Sequence, residues 1–379
     1  MEFFNYLADT VHELAPDIPV HFKTLGDYFG LDSNYNREGM RRGVDFELLK
    51  DNIQYNGCDN HAYVDDSDGV NILTKIRAND YMTSIFDAPV YNTEDHVIRD
   101  SNKDYTPEQR TWWCANAWEC ALHGGTMTVS WVWERSWSDG ALKGSILERP
   151  DIVASYGKIA LDMNRMSYEF DAITNRDSYV AVLDSEGARN ESKSFVNTSF
   201  AAWKAGIMSG QKVQYVTEKM AADGKLNDYK LLLIPEVNRL TEDALKAVET
   251  FLANGGRVII LGEDSLKRNE YGFAYDESRI KAIYDKSAVL PISTSGTKLV
   301  EPSGDVLRNT VWNETEKLGL NKVKIVDNST GELVRDVEWA YEYLDGKLVM
   351  SMMSFDWNTT KNVSVYVDGV KIESFEELR

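Results

Sequence analysis

The chain has 379 residues, 43% of them hydrophobic and 11% aromatic, which is enough to bury more than one core and too apolar for a disordered chain. Forty-one basic against 61 acidic residues give a formal net charge of -20, which opposes binding to nucleic-acid phosphates or anionic lipid. Cys58, Cys114 and Cys120 have neither zinc-ligand spacing nor the density of a disulfide scaffold, so buried free thiols in a reducing compartment are expected.

In chain order, Phe3, Leu7, Val11 and Leu14 recur at helical spacing, and Pro16 to Pro19 close that helix before the strand-like "VHFKTL". The helix replaces the cationic start and cleavage site of a secretory leader. No stretch is long and apolar enough to span a bilayer, so a cytoplasmic protein without membrane contact is predicted. Helix followed by strand then recurs three times: "DFELLKDN" before "IQYNGCDNHAYV", "GVNILTKIRAND" before "YMTSIFDAPVYNTEDHV", and "EQRTWWCANAWECALHGG" before "TMTVSWVWERSW". This is the signature of a parallel sheet covered by helices, here over residues 1–170.

Residues 171–288 change character. "YVAVLD", "VQYVT", "KLLLIPEV" and "GRVIILGED" are short apolar strands, and between the last two Thr241 starts a helix that Gly255 and Gly256 end. A small doubly wound α/β domain is predicted. "SEGARNESKS" after its first strand lacks the Gly-x-Gly-x-x-Gly spacing of a dinucleotide site, and no cysteine nucleophile follows "VIILG". Residues 289–379 alternate apolar and polar in "VEWAYEYL", "KLVMSMMSFDW" and "VSVYVDGVKI". Asp345-Gly346 and Asp368-Gly369 are placed as hairpin turns of a small antiparallel β domain.

The chemistry gathers at the strand ends of the first segment: Lys23 and Thr24, then Asp59, Asn60 and His61, then Glu94 to His96, then Trp131, Trp133 and Glu134. Retaining glycoside hydrolysis needs two carboxyl groups about 5 Å apart, one attacking and one protonating the leaving oxygen. Glu94, beside His96, is placed as the attacking group; a solvated loop glutamate is the plainer alternative. Asp95 faces the other way if the strand continues. Trp131 and Trp133 alternate and are expected on one side, as a platform for a sugar ring or as core indoles. Asn60 and His61 offer hydrogen bonds at the same rim.

The order "PVYNTEDHV", "SWVWERSW", "LLLIPEVNRLTEDALKAVETFLANGGRVIILGE" and a closing β domain resembles the clan A glycoside hydrolases of the β-galactosidase kind, family 42 above all. The resemblance covers essentially the whole chain, more in architecture than in identity. It implies a (β/α)8 barrel, a flavodoxin-like domain of the kind that mediates trimerisation, and a C-terminal β domain. It makes Glu94 the nucleophile at the end of the seventh barrel strand and Trp131 the aromatic at the end of the eighth. It implies neither cofactor nor metal. The family's acid/base glutamate after an asparagine has no counterpart at a strand end; "WNE" at Trp312 to Glu314 lies in the C-terminal segment, and Asp59 and Glu134 are surrogate candidates.

The four strands would be the fifth to the eighth of a barrel that typically takes about 250 residues. Two copies completing each other, strands supplied differently and a truncated gene product all remain open, and a homo-oligomer, dimer or trimer, is expected. The leading expectation is a retaining glycosidase acting on β-galactosides or similar β-linked sugars, contacted by Asn60, His61, His96, Trp131, Trp133 and Glu134. A non-catalytic carbohydrate-binding or assembly protein is the alternative. Hydrolysis of another bond, such as an ester, is a third, although Gly-x-Ser-x-Gly is absent.

Overall fold

The computed structural model describes residues 2–25, 45–50, 53–59, 70–86, 88–96, 98, 105–134, 145–292, 294–295, 298–299 and 303–376. The first segment runs α1 (Glu2–Leu14), β1 (Thr24–Leu25), α2 (Phe46–Leu49), β2 (Asn56–Asp59), α3 (Val70–Ile85), β3 (Val90–Asp95), α4 (Pro107–Leu122), β4 (Gly125–Ser130), α5 (Pro150–Arg165) and α6 (Ser167–Thr174). Its four strands pair in parallel in the order β1-β2-β3-β4, as a chain of helix-connected strands must when each lies beside the last. At the centre of this sheet a Cβ on Gly57 would stand 1.7 Å from the Tyr91 carbonyl oxygen, so only glycine lets β2 and β3 approach there.

The second segment comprises β5 (Val180–Asp184), α7 (Glu186–Glu191), α8 (Lys193–Ile207), β6 (Val213–Thr217), α9 (Glu218–Ala222), β7 (Leu231–Ile234), α10 (Glu242–Ala253), β8 (Arg257–Leu261), α11 (Glu277–Tyr284) and β9 (Ala288–Leu290). Its parallel strands are ordered β6-β5-β7-β8-β9, a doubly wound arrangement. Side chains of Ser185, Ser192, Thr217 and Asp276 cap helices here. Thr241 stands at the start of α10 without a side-chain cap bond, and Gly255, at φ 90°, turns the chain out of that helix as predicted.

The third segment contains β10 (Thr294–Ser295), β11 (Lys298–Leu299), α12 (Ser303–Lys317), β12 (Val323–Asp327), β13 (Val337–Leu344), β14 (Lys347–Ser354), β15 (Val363–Val367) and β16 (Val370–Lys371). β13 and β14 form the predicted hairpin, with Asp345 and Gly346 at φ 50° and 75°; Asp368 and Gly369, at 47° and 80°, turn β15 into β16. Alternation did not foretell α12, whose Leu307, Val311 and Trp312 are buried and which packs on α8.

Helix α3 joins the first two segments. It touches β2 and β3 on one side and β6 on the other, and it carries no amphipathic stripe because it is buried nearly all round. Arg77 donates from Nε to the Tyr215 hydroxyl at 2.8 Å and from Nη2 to Ser199 at 3.0 Å, while the Tyr81 hydroxyl donates to Asp184 at 2.9 Å. One continuous core contains Ile72, Ile76 and Met82 of α3 with Trp203, Tyr215 and Leu233 of the second segment. The outward face of α1 has no such cover: Phe3 is 65%, Tyr6 65% and Leu14 83% exposed. Among the described residues no helix is long and apolar enough to cross a membrane.

Candidate active site at the ends of β1 to β4

Glu94 and Asp95 close β3 on opposite faces, as alternation requires. Asp95 is fully buried on the helix side, where Lys75 Nζ of α3 lies 2.5 Å from Oδ2, and Asn116 and Thr128 donate to the same oxygen at 3.3 and 3.1 Å. This network was invisible in the sequence except as a lysine in the apolar run "NILTKIRAND". It anchors the end of β3 while Glu94 takes the other face.

There Glu94 meets Lys23 and His96. Lys23, just before β1, donates to Glu94 Oε2 and stands 3.5 Å from Asp59 Oδ2 at the end of β2. His96 Nε2 lies 2.6 Å from Glu94 Oε1. Partial burial pulls the Glu94 carboxyl upward, but His96 and Lys23 outweigh it and hold it below the ordinary carboxylate range. Lys23 is likewise held above its ordinary range, since Glu94 and Asp59 outweigh its desolvation. Ligand-capable atoms of Asp59, Glu94 and His96 all lie within 4.8 Å of one another. Asp59 is thus close enough to Glu94 to pair with it, with the Lys23 ammonium between them.

β4 differs from expectation. It ends at Ser130, because its partner β3 runs out at Asp95 and no ladder continues; Trp131, Val132 and Trp133 form a turn containing a cis peptide between Trp131 and Val132. Strand alternation therefore does not place the two indoles on one side. The Trp131 ring stacks on His96 at 5.5 Å between centroids and an interplanar angle of 25°. Trp133 instead meets Tyr156 of α5 edge-on at 6.0 Å. Both indoles are well exposed, at 39% and 45%, and Glu134 follows them on the surface.

The site thus unites Glu94, His96 and Trp131 with Lys23 and Asp59. Trp133 and Glu134 stand apart from that group, and Asn60 and His61 lie outside the described residues. Glu314 of the "WNE" stretch sits on α12, paired with Arg257 at 2.7 Å and Lys317 at 2.6 Å, and not on a strand of this sheet. Cys114 and Cys120 are free but half-buried rather than buried; Cys120 borders a cavity of about 210 Å³ lined also by Asp95, Trp113 and Tyr156.

A carboxylate at the C-terminal end of a parallel strand thus stands bonded to a lysine and a histidine beside an exposed indole. Comparison with solved structures identifies the architecture. The chain has the fold of family 42 glycoside hydrolases. An exo-carrageenase of that family from Bacteroides ovatus superposes with a TM-score of 0.74 at 18% identity, over 96% of this chain and 49% of its own. Gan42B, a family 42 β-galactosidase from G. stearothermophilus, gives 0.68 at 15% identity over 98% and 64%. A β-galactosidase from Bacillus circulans sp. alkalophilus gives 0.63 at 13% over 96% and 65%. The chain spans about half to two thirds of the length of these chains. No family model and no curated protein matches the sequence.

Proposed function

We propose that the chain acts as a retaining glycoside hydrolase on β-galactosides or similar β-linked sugars, with Glu94 as nucleophile. The observation that carries this reading is the Glu94 carboxylate itself, held ionised by His96 and Lys23 at a parallel-strand end and faced by the Trp131 indole. A nucleophile must be ionised at working pH, and a sugar's C–H face packs on indole by apolar contact. Asp59 is the acid/base within reach: retention needs carboxyl groups about 5 to 5.5 Å apart, and the Asp59 and Glu94 oxygens meet within 4.8 Å. For Asp59 to serve, the Lys23 ammonium must swing aside when sugar arrives.

The neighbours' activities, β-galactosidase and exo-carrageenase, support a carbohydrate substrate. On this reading β1 to β4 are the second half of a (β/α)8 barrel, the middle unit is of the flavodoxin-like, trimerisation type, and copies of the chain associate. The bare faces of α1 and β4 support that association. A dilute-solution mass near the 43.0 kDa of one chain would contradict it.

The test is intact mass after incubation with 2-fluoro glycosides carrying dinitrophenolate, a leaving group that needs no acid. A covalent adduct on the peptide bearing Glu94, absent in Glu94→Gln, is expected. Turnover of the matching dinitrophenyl glycoside should fall on the order of 10³-fold or more in that variant. The second reading, carbohydrate binding without turnover, is favoured by the Lys23 ion pair that covers Glu94. It predicts thermal stabilisation by sugar with no adduct.

A further inference from the structure

Away from the strand-end site, the three segments meet at a second group of ionisable side chains. Glu119 and His123, at the C-terminal end of α4, and Glu338 on β13 each bring a ligand-capable atom within 4.8 Å of the other two. All three are buried, at 4%, 8% and 4% exposure. His123 Nε2 lies 2.8 Å from Glu338 Oε1, while the other Glu338 oxygen, Oε2, is buried without a hydrogen-bond partner. A buried carboxylate oxygen left bare is costly unless something positive meets it. Glu119, His123 and Glu338, with Arg176 beside them, line one small cavity, about 10 Å³ in free volume, room for a single water-sized atom.

Behind His123 stands Asp80 of α3, whose two oxygens lie 2.9 Å from Nδ1 and which also accepts from Trp203 Nε1 at 2.8 Å. A carboxylate on Nδ1 fixes the imidazole so that Nε2 faces the cavity, the arrangement that metal-bound histidines favour. We propose that Glu119, His123 and Glu338 bind one divalent transition-metal ion, zinc or its chemical like, as a brace between the first and third segments.

One imidazole and two carboxylates suit zinc; calcium and magnesium take oxygen ligands. Bonds of about 2.0 Å in a tetrahedral site set ligands about 3.3 Å apart, so His123 and Glu338 need part by only about half an ångström. The cavity leaves the fourth position to water. Asp59, Glu94 and His96 also converge, but there the Lys23 ammonium bonds directly to Glu94, whereas Arg176, which lines the junction cavity and acts on Glu338 through its charge, makes no hydrogen bond to Glu338 Oε2. The junction shares no residue with the strand-end site, so failure of the glycosidase reading leaves this inference standing.

The test uses the full chain stripped with chelator and re-equilibrated with zinc. One zinc per chain after gel filtration is expected, with a higher Tm than the stripped protein. Glu119→Gln, close in shape to the acid it replaces, should weaken zinc binding at least about tenfold, and Asp80→Asn by about 10 to 100-fold. Glu94→Gln should leave binding intact. X-ray absorption on the loaded wild type should show one imidazole and otherwise oxygen ligands, a readout independent of any variant's folding. Substoichiometric zinc with an unmoved Tm would overturn the inference. So would binding lost in Glu94→Gln but kept in Glu119→Gln, or a zinc shell containing sulfur or several imidazoles.

Discussion

Every residue of β5 and β7 is buried, whereas Met127 and Val129 of β4 stand 44% and 46% exposed and, among the described residues, the strand pairs only with β3. Both sheets are parallel, and parallel sheets are stable when both faces are covered. The doubly wound sheet achieves that within the chain. The β1–β4 sheet is covered by α3, α4 and α5 on one side and ends at two open edges among the described residues. One sheet is covered on both faces as folded, and the other leaves one face of β4 exposed.

The largest effect separating them should come from ion pairing. Lys75→Met strands Asp95 in the helix layer of the open sheet without its cation, and should cost about 3 to 5 kcal/mol in chemical denaturation. A loss below about 1 kcal/mol would mean that water reaches Asp95 and that this layer is looser than its packing suggests. Next, Leu233→Ala in β7 should cost about 2 to 5 kcal/mol, while Met127→Ala in β4 should cost under about 0.5 kcal/mol. Equal costs would break the comparison by showing that β4 is covered in solution.

A smaller effect is expected from pH in the metal-free protein. Burial and Glu338 push the Glu119 carboxyl up to about 8, and Asp80 and Glu338, against desolvation, hold His123 well above its ordinary range. Both groups bind protons more tightly folded than unfolded. Their contribution is therefore fully present at low pH and lost as pH rises, from about 4.5 to 8 for Glu119 and above about 6.5 for His123. Tm should fall between pH 5 and 8, and Glu119→Gln should flatten that decline. Glu94, held below its ordinary range, acts with the opposite sign, its contribution disappearing only as pH drops below about 4.5. Smallest of all, Val129→Lys should leave monomer stability within about 0.5 kcal/mol and weaken self-association, measured by sedimentation.

What could be read from sequence was whatever is encoded locally. The α1 period, the helix–strand alternation and the Asp-Gly turns each depend on neighbours a few residues apart, and all three are found. Glu94 with His96 was legible because both lie on one short stretch. The bond from Lys23 was not, since it depends on β1 and β3 ending at the same height with β2 between them. The straight continuation assumed through Trp131 to Trp133 failed because a strand persists only while a partner holds it, and β3 stops first. The junction of Glu119, His123 and Glu338 was beyond reach, because its third member arrives on a hairpin from the far end of the chain.

Because α3 is walled by β2 and β3 on one side and β6 on the other, with Arg77 bonded into the second segment, neither sheet can lose its cover alone. Melting of the first two segments should therefore be one cooperative event, with a single calorimetric peak and amide exchange in α3 as slow as in β5 and β7. A boundary drawn between them on the sequence marks a change of topology, but α3 ties both sides into a single folding unit.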